Sequence, residues 1–488
     1  MRPVDVVFPF CLDRIGARPF VDRKAVPGRA HGGCRARIGQ RCARLREHRR
    51  DGRLPLNRLR LRCRDVYWLR LRSRRRVRHV AVDKDQALPR KPTQLLFAHN
   101  ATPGERCPQQ SCTTSTFRGV NPYWLEDPVP QRANGRQGGR VDVAIVGAGV
   151  TGCSAALRLA EAGLRVRVHD RRAVAEGASG RNGGFALRGG AARYDVARET
   201  YGADESRALW QWTEATLDAM ETLAGDALLR PGSYRLAADD EERENISAEF
   251  EALREDGFGA DWIDEFPRFH GAIHHHRDGT IQPARFVRRL AARAAAAGAE
   301  VREHDRVDDV DALDAERVLV ATDGYGRDLL PELADAIWPA RGQVVVSEPL
   351  DRVLYDRPHY ARQGFDYWQQ LPDRRLLLGG FRDVSIMDEL TDVEEMTPTI
   401  QASLERFLGE LSDGEARISH RWAGIFALTQ DMLPLVGPVP GRDQVWIAAG
   451  YSGHGNVMGF GCGALVADAM LGSDSDLLGL FDPARMAA

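Results

Sequence analysis

Residues 141–170 constrain the fold more than any other stretch: VDVAIV, GAGVTG, CSAALRLAEAG and LRVRVHD follow one another without interruption. Val141 to Val146 is a nearly continuous apolar run, the pattern of a buried parallel strand. Gly147, Gly149 and Gly152 then set a GxGxxG spacing, and Ala155, Ala156, Leu159 and Ala160 recur on one helical face. The glycines serve a tight turn, backbone approach to a pyrophosphate, and close packing of helix on strand. Val150 and Thr151 open the helix, whose N-terminus faces the anion. A second strand, Leu164 to His169, ends in Asp170, 18 residues past Gly152, where a carboxylate can accept from ribose hydroxyls. A lone glycine motif is weak evidence. Strand, turn, helix, strand and acid in this order predict a dinucleotide-binding unit, without separating a nicotinamide from a flavin.

Arg171 follows, and then GASGRNGGF: Gly177, Ala178, Ser179, Gly180, Arg181, Asn182, Gly183, Gly184 and Phe185. Four glycines in eight residues open the backbone so that its N–H groups can meet an anion or lie against a planar ring. Ser179, Arg181 and Asn182 add donors. Further on, Ser206 to Ala224 and Asp239 to Asp256 read as helices of an inserted region. Gln282 to Ala297 reads as a helix, followed by GAEVREHDRV and the strand Arg317 to Thr322. Strands alternating with helices predict a doubly wound α/β domain. From Arg341 the pattern changes to short alternating runs, RGQVVVSEPL, GFDYWQQLPDRRLLLGG and HRWAGIFALTQ, which predict a mostly antiparallel second sheet. The chain closes with a buried strand, Val445 to Ala449, the turn Gly450 to Gly455, and a helix of small residues to Met470.

Charge divides the chain. Its net −1 combines residues 1–112, where 25 Arg and 3 Lys against 9 acidic residues give +19, with a body at −20 that holds 40 Arg and no Lys. Six of the eight cysteines also lie in the first part. That leader predicts either a nucleic-acid or membrane arm, a transit peptide, or upstream DNA translated from a misassigned start, and the abrupt change in Lys and Cys usage favours the last. No apolar run approaches the ~18 residues of a membrane span, so a cytoplasmic, non-membrane protein is expected. No cysteine spacing predicts a metal site, and none is expected from His274, His275 and His276, because consecutive side chains point apart. A body of 376 residues exceeds the ~250–300 over which one core grows, which predicts two interleaved domains. Their segments are 121–230, 281–340 and 431–475 for the nucleotide unit and 231–280 and 341–430 for the second, flanked by a leader (1–120) and a tail (476–488).

Together, YWLEDP, GASGRNGG, HRWAGIFALTQDMLPLVGP and GYSGHG make the body resemble the FAD oxidoreductases of the D-amino-acid oxidase, glycine oxidase and sarcosine oxidase superfamily, most of all its gamma-glutamylputrescine oxidoreductase branch. The resemblance runs from about Tyr123 to Gly472. It implies a glutathione-reductase-type FAD-binding Rossmann domain interleaved with an α+β substrate domain. It also implies that Gly147, Gly149, Val150, Thr151 and Gly152 contact the FAD pyrophosphate and that Asp170 and Arg171 lie at the adenosine. Ala178, Ser179, Arg181, Asn182, Gly183 and Gly184 would run along the pyrophosphate and flavin, with Val307 at adenine and Thr322 after the third strand. Gly450, Tyr451, Ser452, Gly453, His454 and Gly455 would approach the flavin ring. The reaction implied is oxidation of a C–N bond in a small amine or amino acid, with oxygen or another acceptor taking the electrons.

Tyr367, Trp422 and His454 are the substrate-side candidates, with Trp368 and Tyr451 able to line an aromatic pocket. Relatives that attach FAD covalently use a cysteine; none stands around Trp422 to Thr429, so non-covalent FAD is expected. Relatives that place a lysine beside the flavin to promote reaction with oxygen have no counterpart here, which predicts a dehydrogenase, or an oxidase using His or Arg. The alternative is a flavoprotein or basic-arm protein acting on nucleic acid, of the tRNA-modifying type. A body at −20 repels a polyanion, and no nucleic-acid partner is expected.

Overall fold

A computed structural model describes residues 122–130 and 138–486, so the expectations for the basic leader lie outside the described residues. Six strands form the first sheet: β1 (Val141–Val146), β2 (Val166–His169), β9 (Glu300–Arg302), β10 (Ala315–Val320), β16 (Leu435–Val439) and β17 (Arg442–Ala449). Their order is β16-β17-β10-β1-β2-β9, parallel except for edge strand β16. Val143 and Ile145 of β1 enter one core, whereas Ala144 and Val146 enter another on the opposite face. Burial on both faces is why that run lacks polar alternation.

Helices α1 (Val150–Glu161), α5 (Pro283–Ala296) and α7 (Gly455–Met470) pack together over one face of this sheet. The contact of α1 with α7 depends on a missing side chain: a Cβ on Gly463 would lie 2.4 Å from the Thr151 carbonyl oxygen. Gln282 starts α5 by accepting from the Arg285 N–H at 2.8 Å, with Pro283 at the first helical position. Helices α2 (Tyr194–Thr200), α3 (Ala203–Ala224) and α4 (Asp240–Glu255) form the inserted region, and Asp239 caps α4 through the Glu242 N–H at 2.8 Å.

The second sheet has eight strands: β5 (Ser233–Leu236), β6 (Ala260–Ile263), β7 (Ala272–His275), β11 (Trp338–Ser347), β12 (His359–Ala361), β13 (Asp366–Gln370), β14 (Leu376–Gly380) and β15 (Ile418–Leu428). Their order is β15-β11-β14-β13-β12-β5-β7-β6, antiparallel except where β12 meets β5. Helix α6 (Pro398–Leu411) covers one face through Ile400, Leu404 and Leu408. A small sheet, β3 (Phe185–Ala186), β8 (Gly279–Ile281) and β4 (Leu228–Leu229), joins the glycine-rich loop to the inserted region.

The described residues all fall within one compact unit. Continuity comes from the core itself, which runs from Ile145 of the first sheet to Val344 and Trp422 of the second. The expected tail is also packed: α8 (Asp476–Phe481) buries Phe481 completely, and Arg485 pairs with Asp431 at 2.7 Å. Arginine supplies every long cation here, since residues 113–488 contain no lysine. Its planar fork suits buried pairs such as Arg341 with Glu389, two N–H···O bonds of 2.9 Å each.

Candidate active site

The glycine turn is held by side chains that the local pattern assigned to ligand. Gly147 has φ +111°, and a Cβ there would lie 2.6 Å from the Ala321 carbonyl oxygen at the end of β10. A Cβ on Gly152 would lie 1.9 Å from the Gly147 oxygen, so only glycine lets α1 start this close to β1. The Asp170 carboxylate accepts the Ala148 N–H at 2.7 Å and the Arg172 N–H at 2.8 Å. It therefore tethers the turn as well as facing the cavity, and burial raises its pKa against those two bonds. The Ser179 hydroxyl accepts the Val150 N–H at 2.9 Å and so caps α1.

The loop Ala178 to Gly184 is similarly self-braced. Asn182 donates to the Ser179 carbonyl at 2.9 Å, accepts from the Gly184 N–H at 2.8 Å, and pairs with Asn456 at 3.1 Å. The Arg181 guanidinium turns to Glu394 at 3.1 Å and to the Glu176 carbonyl at 2.9 Å. Glu394 also pairs with Arg172 at 3.1 Å and accepts from the Tyr325 hydroxyl, and the Arg171 and Arg172 guanidiniums lie 4.8 and 5.2 Å from the Tyr325 ring centre. Trp422 is a correction. Its indole N–H donates to the Arg181 carbonyl at 2.8 Å from a fully buried position, and it holds the loop from behind without lining the cavity. Trp368 is likewise core, stacked on His359 at 5.3 Å.

Asp323, which the sequence reading passed over, organises the third segment. Its carboxylate accepts the Gly450 N–H at 2.9 Å and the Ala427 N–H at 3.0 Å, so it ties the exit of β10 to β15 and to the loop after β17. Desolvation raises its pKa while these donors act against the rise. The Tyr451 hydroxyl shares a hydrogen bond of 2.8 Å with Thr151 on α1. His454 sits just before α7; burial, with the Arg235 charge adding to it, pushes its pKa down to about 4, and the Ser452 backbone offsets this only in part. The imidazole is thus neutral at pH 7.

The second sheet, with Arg188 just after β3, supplies the rest of the site, and of these groups the sequence marked only Tyr367 and the histidine run. Arg235 on β5 pairs with buried Glu249 at 2.8 Å and lies 5.6 Å from the Tyr360 ring centre. Arg188 pairs with Glu214 at 2.8 Å and reaches His275 Nδ1 at 3.3 Å, and its backbone N–H donates to Asp278 at 2.9 Å. Tyr367 packs edge-on against Phe185 at 5.4 Å, and burial pushes its phenol up to about 12. A Cβ on Gly183 would lie 2.5 Å from the Tyr367 ring. The histidine run divides: His275 faces the cavity, whereas His274 and His276 gather with Asp261 on the other side.

One cavity of about 410 Å³ unites these pieces. Every residue assigned to cofactor or substrate from sequence lines it except Gly152, Gly184, Gly450, Trp368 and Trp422, and Arg188, Arg235, Tyr360 and Asp323 line it too. Its wall runs from Val307 and Asp170 past the N-terminus of α1 to Tyr367 and His454. A Cβ on Gly453 would meet no atom within 4 Å, so that stretch of wall is open backbone. An elongated dinucleotide fits this wall, with helix N–H groups at its middle and open backbone at its far end.

A parallel sheet with a glycine-rich turn and a second sheet that wall one cavity define a dinucleotide-binding protein. The family model for "FAD dependent oxidoreductase" matches residues 142–469, and the chain belongs to that family. It is 28% identical over 366 residues to gamma-glutamylputrescine oxidoreductase of Escherichia coli (strain K12), covering 68% of this chain and 84% of that one. It is 27% identical over 386 residues to glycine oxidase of Pseudomonas aeruginosa, covering 71% and 98%. Among solved structures, glycine oxidase from Geobacillus kaustophilus superposes with a TM-score of 0.58 at 23% identity, covering 71% of this chain and 98% of that one. L-amino acid deaminase from Proteus vulgaris gives 0.61 at 16%, covering 73% and 100%. FAD is the cofactor of this family, and no helix among the described residues is long and apolar enough to cross a membrane.

Proposed function

We propose that the chain oxidises the C–N bond of a small amine or amino acid. The observation that carries this reading is the single cavity into which the dinucleotide motif and the polar, aromatic face of the second sheet both open. The names of the relatives, a gamma-glutamylputrescine oxidoreductase and glycine oxidases, support a C–N substrate. Bound FAD supplies the two-electron acceptor: the substrate C–H bond yields a hydride, the nitrogen lone pair forms C=N, and the N–H proton leaves to solvent. Water then hydrolyses the imine to a carbonyl compound and an amine or ammonia.

The chain's own groups prepare that step. Val150 and Thr151 at the N-terminus of α1, Arg171, and Val307 would hold the dinucleotide without a covalent bond. The N-terminus of α7 lies at the cavity wall beside Gly453, where its positive end would stabilise negative charge on a reduced flavin. Tyr367 and His454 are both uncharged at neutral pH, so they can orient a neutral amine by hydrogen bonds without protonating it. With no lysine in residues 113–488, any cation beside the ring is an arginine, and Arg235 and Arg382 line the cavity.

Anaerobic mixing of the yellow holoprotein with polyamines, gamma-glutamylated amines, sarcosine, glycine and D-amino acids tests this reading. At least one is expected to bleach the flavin absorbance. Bleaching by dithionite but by no amine or amino acid overturns it. Readmitting air to the reduced protein then separates an oxidase from a dehydrogenase.

A further inference from the structure

The free edge of the eight-stranded sheet carries a cluster that amine oxidation does not use. Strands β6 and β7 are antiparallel, with Asp261 directly opposite His274. The two-residue period of a strand places His274 and His276 on one face, ring centres 5.0 Å apart, and sends His275 to the other. His276 Nε2 lies 2.7 Å from Asp261 Oδ2, and His274 Nδ1 lies 3.5 Å from the same oxygen. The three donor atoms all fall within 4.8 Å of one another. Four-coordinate zinc, at ~2.0–2.1 Å from each donor, needs donors about 3.3 Å apart. Two of the three spacings bracket that value and the third, within 4.8 Å, has to close, which the exposed side chains of Asp261 and His276 are free to do by rotation.

We propose that Asp261, His274 and His276 bind one transition-metal dication of the zinc class, with water completing the coordination. Two imidazoles and a carboxylate select such an ion over the hard magnesium and calcium ions. The ion would clamp edge strand β6 to β7, the strand whose His275 stacks on Tyr360 in the cavity wall at 6.4 Å. One neighbour opposes it. Arg357 donates to His274 Nε2 at 2.7 Å, while a histidine that ligates through Nδ1 must carry its proton on Nε2 and donate there. Arg357, held by Asp356 at 2.6 Å, has to turn aside.

The test is calorimetric titration of chelator-treated, FAD-loaded full-length protein with zinc, repeated with cobalt to read a tetrahedral absorption band. One site is expected. His276→Ala and Asp261→Asn should each weaken it by more than the roughly 10–100-fold that loss of an outer partner costs. Arg357→Gln, which offers an amide oxygen to the Nε2 proton, should tighten it by about tenfold. Flavin absorbance and far-UV circular dichroism report that each variant is folded. No stoichiometric site in the wild type, or a site of equal affinity in His276→Ala and Asp261→Asn, overturns the proposal.

Discussion

Replacing Asp323 by Asn separates an organising residue from a bystander. The residue has φ +48°, a left-handed conformation that Asn tolerates as well as Asp, so the exchange leaves the backbone unstrained. What changes is acceptor count. The carboxylate presents one oxygen to Gly450 N–H at 2.9 Å and the other to Ala427 N–H at 3.0 Å, whereas a carboxamide has a single oxygen and turns an NH2 towards one of these donors. A hydrogen bond to a charged acceptor contributes ~1.5–3 kcal/mol, and the orphaned N–H adds a desolvation cost of ~1–3 kcal/mol. Removing a desolvated negative charge offsets part of this. The net loss is about 2–3 kcal/mol, roughly 30- to 150-fold in the folding equilibrium. Urea denaturation followed by tryptophan fluorescence reads the stability. Equilibrium dialysis of FAD reads the second effect, because the Gly450 to Gly455 loop is one of the two elements released. A loss under about 0.5 kcal/mol, or a full loss with FAD affinity unchanged, would refute the assignment of Asp323 as the tie between β10, β15 and that loop.

Trp422→Phe removes the donor to the Arg181 carbonyl and should cost about 2 kcal/mol in urea denaturation while the KM for the amine stays constant. A raised KM at unchanged stability would return Trp422 to the substrate pocket. His454 gives a pH signature. Its folded pKa of about 4 lies below the ordinary 6.5, so between those values the unfolded chain binds more protons. The contribution is complete above pH 6.5 and is lost as pH falls towards 4, up to about 3 kcal/mol. His454→Gln should flatten the fall in urea midpoint between pH 7 and pH 4.5, and an unchanged slope would show that His454 is not the group responsible.

The nucleotide unit was legible because its signals are contiguous: the apolar run, the glycine spacing and the terminal acid all lie within residues 141–170. The second sheet was legible as a sheet from its alternation. Its order was not, since β5 to β7 come from the inserted segment and reach β12 only through tertiary pairing. Side-chain roles were harder. Ser179, Asn182 and Asp170 were identified as ligand donors and acceptors, and all three also spend hydrogen bonds on bracing their own loops, because buried backbone N–H groups must find partners. Arg181 points to Glu394, 213 positions later, and no local pattern predicts a partner at that distance. Asp323 had one available signal: a lone acid immediately after an apolar strand, followed by glycine. Arg188, Arg235 and Tyr360 come from three separate segments and had none. The histidine run was read from i,i+1 geometry, whereas the cluster with Asp261 depends on i,i+2 and on a neighbouring strand.

The all-arginine character of the described body has a chemical consequence for what leaves the cavity. Primary amines condense readily with aldehydes and ketones; guanidiniums, which stay protonated up to pH values above about 12, do not compete in that reaction. The cavity wall offers Arg171, Arg172, Arg181, Arg188, Arg235, Arg306 and Arg382, and not one ε-amine. A carbonyl compound formed there by the proposed reaction would meet arginines and neutral histidines but no primary amine able to condense with it. The wall could thus hold and release a reactive carbonyl repeatedly without forming an imine with it.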